Sequence, residues 1–257
     1  SSLLRGETGP YSLSGLTPTA KALYAVLLWQ LTERPIVLIA DGNQRAENLA
    51  ELCEAFFTLL IGRPEAGRPS LLPAFDVLPG QHLSPHSEIS EQRAIGLYRL
   101  SNGRSPITIA PVGSTLIRTN AAEDYRRLSL TLRKGEELPL ETIEEHLKSI
   151  GYERRDPVEM VGEYSIRGGI LDVFGAESAK PLRVEFFGDE IESIRRFDVE
   201  SQRSVLKVNE ADILPLRETA QGDLDHLGWE FTAAVEHPRT KSLLDLVPNA
   251  LLLLDEP

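Results

Sequence analysis

Apolar positions Leu23, Val26, Leu27 and Leu31 recur at helical spacing behind Thr17-Pro18. That pair is a helix start, because threonine caps the first turn and proline at the first helical position needs no bonded N–H. Pro35 ends the helix. The continuous run Ile36-Val-Leu-Ile-Ala40 predicts a strand buried on both faces, followed by a helix from about Asn43 to Leu60. A Pro/Gly-rich loop spans 62–69. Short strands are then predicted over 71–75 and 107–111, with a helix over about 88–100 between them. Strands alternating with helices predict an α/β fold built on a parallel sheet.

After about Tyr125 the pattern changes. Leu128-Ser-Leu-Thr-Leu132 alternates as a strand, and Leu140, Ile143, Leu147 and Ile150 mark one helical face closed by Gly151. Extended runs follow at 164–167, 170–174, 182–187, 191–197 and 205–208, with Gly188-Asp189 as a two-residue hairpin turn. This is an α+β unit of antiparallel strands. An acidic, turn-rich tract leads to Leu251-Leu-Leu-Leu-Asp255-Glu256, an apolar strand ending in carboxylates. The expected organisation is an α/β domain over 1–125, an inserted α+β domain over 126–213, and the first domain resumed over 214–257.

Composition narrows the function. With 41% hydrophobic and 26% charged residues the 257-residue chain is a folded protein. Its apolar runs fall far short of the roughly 20 residues of a membrane helix. A single cysteine, Cys53, and no basic-then-apolar leader point to the cytoplasm. The net charge of −12 repels a phosphate backbone, so DNA binding is expected to be weak or absent. The three segments carry nets of −2, −5 and −5. The middle one is dense in both signs, which suits either a charged protein partner or a solvated face.

The Asp255-Glu256 ending has the form of a Walker B element, whose carboxylates hold Mg²⁺ in phosphate-loop NTPases. The matching phosphate-loop candidate is Gly15-Leu-Thr-Pro-Thr-Ala20-Lys21-Ala22. Gly15 and Lys21 fit the spacing. Ala20 adds a Cβ where backbone must meet phosphate, Pro18 removes a donor, and Ala22 offers no oxygen to a metal. The expectation is a nucleotide-binding fold without a working site and without a cofactor; taken alone, Lys21 reads equally as an ordinary surface lysine.

Other chemistry fares worse. Asp172 and Glu185 on adjacent strands suggest Mg²⁺ ligands of a nuclease, but no lysine completes that set, and solvated strand-face carboxylates are the better reading. His82 and His86, with Glu88, are separated by Pro85, which prevents an i, i+4 metal pair. Cys53 shares a helix face with Leu49 and Phe56 and reads as an unreactive core thiol.

Five blocks carry a family resemblance: Asp76-Val-Leu-Pro79, Leu83-Ser-Pro-His-Ser-Glu-Ile-Ser-Glu-Gln-Arg93, Ile107-Thr-Ile-Ala-Pro-Val112, Gly162-Glu-Tyr-Ser-Ile-Arg-Gly-Gly-Ile-Leu-Asp-Val-Phe174 and Arg183-Val-Glu-Phe-Phe-Gly-Asp-Glu-Ile-Glu-Ser-Ile-Arg-Arg-Phe197. Together they closely resemble the N-terminal, UvrB-like module of the bacterial transcription-repair coupling factor over about residues 12 to 257. UvrB itself is a poorer match, because it keeps an intact phosphate loop and a Tyr-rich DNA-clamping hairpin, whereas 75–93 is short and has no tyrosine. The resemblance implies a degenerate helicase-like domain related to phosphate-loop NTPases, with an inserted domain that binds UvrA. The family's motor and RNA-polymerase-binding domains lie further along its chain, so this chain reads as a fragment. Other domains of the full-length factor would mask the UvrA surface.

The resemblance places the UvrA contacts on Arg167, Arg183 and Phe187; Glu185, Asp189 and Arg195 would border them as a rim. Alternation along 182–187 puts Leu182, Val184 and Phe186 on one face and Arg183, Glu185 and Phe187 on the other. An outward Phe beside two Arg has hot-spot composition. The residues alone leave open that Phe187 tucks under the hairpin while the arginines pair with Glu185 or Glu163. The expected role is a non-catalytic module recruiting UvrA to stalled RNA polymerase. The competing class is a UvrB-like nucleotide-dependent DNA motor using Lys21 and Asp255-Glu256; a third reading is DNA binding through Arg126-Arg127 or Arg154-Arg155.

Overall fold

The computed structural model describes residues 11–220 and 226–256. In chain order its elements are α1 (Pro18–Thr32), β1 (Ile36–Ala40), α2 (Asn43–Leu60), β2 (Ser70–Leu71), α3 (Ser87–Ser101), β3 (Ile107–Pro111), α4 (Val112–Thr115), α5 (Ala122–Arg126) and β4 (Leu130–Arg133). They continue with α6 (Leu140–Ser149), β5 (Glu153–Arg154), β6 (Glu163–Arg167), β7 (Ile170–Val173), β8 (Leu182–Phe187), β9 (Glu190–Phe197), β10 (Ser204–Val208), β11 (Glu210–Ile213), α7 (Trp229–Glu236) and β12 (Leu251–Leu254). Two compact units result. One holds the described residues up to Asp76, Arg99–Ala121 and those from Arg239 onward; the other holds Val77–Tyr98 and the described residues of 122–238.

The first unit is the expected α/β arrangement. Thr17 Oγ1 caps α1 by accepting from the Ala20 N–H at 3.3 Å, with Pro18 at the first helical position. The sheet runs β12-β1-β3-β2 and is parallel throughout. Its central strands β1 and β3 are almost wholly buried, as continuous apolar runs require. Ile36, Leu38, Ile107 and Ile109 share one core with Val26 and Trp29 of α1 and Leu49, Cys53 and Phe57 of α2. β2 is shorter than the expected strand over 71–75. Leu72 still donates to Ile109 O at 2.9 Å, but Pro73 has no N–H with which to extend the ladder.

The second unit contains a six-stranded sheet of order β10-β9-β8-β7-β6-β5 and a separate antiparallel pair of β11 with β4. Within the six strands only β5 and β6 run parallel. β4 begins two residues later than expected, because the Leu128 N–H is taken by Tyr125 O at the end of α5. α6 buries Ile143 and Leu147 and presents charge elsewhere, as its periodicity predicted. Arg93 on α3 meets Glu218 through Nε at 3.2 Å and Nη2 at 3.1 Å, and both side chains are almost completely buried. Among the described residues no helix is long and apolar enough to cross a membrane.

Candidate functional site

Phe187 ends β8 and Glu190 opens β9, and they pair across a two-residue turn in which Gly188 adopts φ +62°. A left-handed residue of that kind lets a tight hairpin follow the strand twist, and glycine takes it without steric cost. The turn is braced from the side. Leu138 N–H donates to Asp189 O at 2.8 Å, and Ile191 exchanges backbone bonds with Gly135 and Glu136. Along β8, Leu182 and Val184 are buried, Arg183 and Glu185 are half-buried, and Phe187 is 80% exposed. The alternation therefore holds, and Phe187 does not tuck under the hairpin. Phe186, expected in the core, is only half-buried: pairing steps from Glu185↔Ser193 to Phe186↔Ile191, so β9 carries a bulge at this point.

Asp172 on β7 lies opposite Arg183 in the ladder. Its carboxylate, 3% exposed, accepts from Arg183 Nε at 2.7 Å and Nη2 at 2.8 Å, and from Arg167 Nη2 at 3.0 Å. A bidentate arginine and a second cation on one carboxylate are charge-assisted bonds of the strong kind. Arg183 is further fixed by stacking 4.4 Å over the Phe197 ring and by donating to Gln202 Oε1 at 3.0 Å. Arg167 also reaches Asp156 at 3.4 Å. Gly168 turns with φ +59°, and a Cβ on Gly169 would stand 2.9 Å from Phe186 O. Replacing Asp172 with alanine is expected to cost about 1.5–3 kcal/mol, the range for hydrogen bonds to charged groups, read as a lower urea midpoint. A midpoint equal to the parent's would refute it.

The expected local partners differ from those found. Arg167 and Arg183 share Asp172 rather than Glu185 or Glu163; Glu163 instead accepts from the Glu159 and Met160 N–H groups at 2.8 and 2.9 Å. Glu185 pairs with Arg195 and accepts from Ser193 Oγ at 2.7 Å. Asp189 is exposed at the turn. Behind Arg183, the loop carrying Gln202 is closed by Asp198, which Lys180 at 2.8 Å and the Ser201 N–H and hydroxyl hold down to about 2. A carboxyl lower in the folded chain than its ordinary 3.8 contributes stability above that value and loses it as pH falls through the folded one. Asp198→Asn should therefore be less stable than the parent at neutral pH, and the gap should close between about pH 4 and about pH 2. A gap that persists unchanged to pH 2 would contradict this.

In the first unit, Lys21 and the carboxylates 234 residues further along come together. Lys21 Nζ lies 2.5 Å from Asp255 Oδ1 and 2.9 Å from Glu256 Oε1. Arg45 on α2, which no sequence signal singled out, donates from Nε to Asp255 Oδ2 at 2.6 Å and from Nη2 to Oδ1 at 3.3 Å. Burial pushes the Asp255 carboxyl up, but Arg45 and Lys21 outweigh it and hold it below the ordinary range. Gly15 takes φ +76° ahead of the helix, Ala20 N–H is spent on the Thr17 cap, and Ala22 is fully buried in the core.

Other candidates are accounted for locally. Asp172 and Glu185 are engaged by arginines as above. Cys53 is buried, and burial pushes its thiol up to about 12. His86 lies just before α3, where its Nδ1 accepts from the Glu88 N–H at 3.4 Å. No cluster of three or more metal-ligating side chains occurs among the described residues. Arg126, Arg154 and Arg155 pair with Glu123, Glu144 and Glu153.

Residues 130–218 match the family described as the UvrB interaction domain, a span that includes every residue of the β6–β9 surface. The chain is 34% identical over 200 residues to the transcription-repair-coupling factor of Escherichia coli, covering 77% of this chain and 17% of that protein. Against the factor of Bacillus subtilis it is 30% identical over 206 residues, and against that of Myxococcus xanthus 34% over 210, covering 80% and 81% of this chain. It spans about a sixth of the length of these curated relatives. The resembling blocks, the parallel sheet and the separate antiparallel sheet all lie on one chain that is similar to the transcription-repair-coupling factors over about four fifths of its length and carries the UvrB interaction domain match.

Proposed function

We propose that this chain is a non-catalytic interaction module that binds UvrA, and that within a full-length coupling factor acting in the cytoplasm it brings UvrA to a stalled RNA polymerase. The observation that carries the reading is Phe187, 80% exposed at a braced hairpin tip beside two arginines anchored on one buried carboxylate. An exposed ring costs solvation in the free chain, and it gains that back only in a partner's pocket. Arg167, half-exposed, and the guanidinium edge of Arg183 supply the charge-assisted contacts, with Glu185, Asp189 and Arg195 at the rim. UvrA would present an apolar pocket flanked by carboxylates. The UvrB interaction domain match over 130–218 supports this partner class. In the full-length factor other domains would cover the same surface until it is needed.

The first unit, on this reading, is a helicase-like domain whose nucleotide site has degenerated. Its support is the alanine at positions 20 and 22 and the side-chain cluster at Lys21. Calorimetric titration of UvrA into the chain tests the function. Saturable binding with a negative heat-capacity change is expected, and no binding by the folded chain would sink it.

A further inference from the structure

Asp255 follows the carboxyl end of β12, next to that of β1, where its N–H donates to Ile39 O at 2.8 Å. α1 and α2 begin beside it, contributing Lys21 from the first turn of one and Arg45 from the first turn of the other. Crevices outside the carboxyl ends of parallel strands, with helix N-termini facing them, favour anions. Here the anion is part of the chain. The Asp255 side chain is 4% exposed and takes three hydrogen bonds from the two cations, while Glu256, 76% exposed, touches both from outside at 2.9 and 3.5 Å.

We propose that Asp255 and Glu256 act as a built-in anion, filling a latent phosphate-binding site formed by Lys21 and Arg45 and shutting it to free phosphate-bearing ligands. The physical basis is competition. A tethered carboxylate faces the cations at an effective concentration in the millimolar range or above, so a free phosphate must displace it before binding. Two carboxylates also balance two cations, which leaves no net charge to attract an anion from solution. Restoring Gly at position 20 and Thr at position 22 would leave the carboxylates in place. Removing their charge would expose the site directly. The ligand class is a phosphate or pyrophosphate group, whether free or carried by a nucleotide.

The test is the Asp255→Asn/Glu256→Gln double variant beside the parent chain, each titrated with inorganic pyrophosphate and with ATP after circular dichroism has checked the fold. The parent is expected to bind neither at millimolar concentration. The double variant should bind pyrophosphate at least about tenfold more tightly than the parent, and adding Lys21→Met should remove the gain. ATP bound about as tightly as pyrophosphate would support recognition of the phosphate charge alone. Micromolar ATP binding by the parent, ATP binding without pyrophosphate binding, or a gain that survives Lys21→Met would each overturn the proposal. Should the double variant unfold, Glu256→Gln alone decides, because that side chain is exposed. A rise in pyrophosphate affinity that depends on Lys21 supports the site, and an unchanged affinity refutes it.

Discussion

Phe187→Ala is expected to weaken UvrA binding about 30- to 1000-fold while leaving stability within about 0.5 kcal/mol of the parent. The binding loss corresponds to the roughly 2–4 kcal/mol that an aromatic hot spot carries. The stability estimate follows from the ring being 80% exposed, since truncating an exposed side chain away from caps and ion pairs does little. This makes Phe187 a cleaner probe than the charge reversals that composition alone suggests. Arg183→Glu would place a carboxylate against Asp172, whose side chain is 3% exposed, and leave two anions facing each other on adjacent strands. Loss of binding in that variant would mix a broken surface with a damaged sheet. Arg167→Glu is intermediate, because Arg167 is half-exposed and Asp172 would keep Arg183. Titration calorimetry with thermal melts on the same samples separates the two effects. Wild-type affinity in Phe187→Ala would remove the hairpin tip from the interface.

Glu218→Ala should be strongly destabilising to the second unit, at about 3–5 kcal/mol. Arg93, 1% exposed, loses the carboxylate that accepts two of its N–H groups, and breaking a buried ion pair by removing one side costs that much. The melting temperature should fall by roughly 10 °C, given the entropy of unfolding for a chain of this size. The double change Arg93→Met/Glu218→Leu removes both charges at similar volume and should recover most of the loss. That recovery separates a broken ion pair from lost packing. Urea unfolding of the three variants is the measurement. A Glu218→Ala cost under about 1 kcal/mol, or a double variant no better than the single, would show that the pair does not hold α3 in place.

The elements of the fold were legible because their signals are local. Thr17-Pro18 marks a helix start whatever lies elsewhere in the chain, and the structure begins α1 there. The run 36–40 is a buried strand in both readings. Alternation along 182–187 placed Phe187 outward, and it is outward. The misses were also local in kind but needed a neighbour to be seen. β2 stops at a proline, β4 yields two residues to the turn after α5, and Phe186 loses burial at a bulge in the strand opposite.

The candidate surface was half legible. Its outward side chains followed from period-two geometry, but the residue that organises them did not. Asp172 read from the sequence as a solvated strand-face carboxylate beside Glu185, and only the β7–β8 register set it between Arg183 and Arg167. Lys21 and Asp255-Glu256 were legible as two halves of one motif, but Arg45 carries no such signal, and only the parallel pairing of β1 with β12 brings the three together.

By itself, then, the sequence determined which segments are helix or strand, which faces are apolar, and which family its five blocks resemble. These depend on backbone periods of 3.6 and 2 and on caps and turns spanning a few residues. The tertiary structure decided which charges meet: Arg93 with Glu218, Arg183 with Asp172, and Lys21 and Arg45 with Asp255. Such meetings depend on strand register and chain path, and a carboxylate carries no mark in its own sequence neighbourhood of the distant cation that will satisfy it once both leave water.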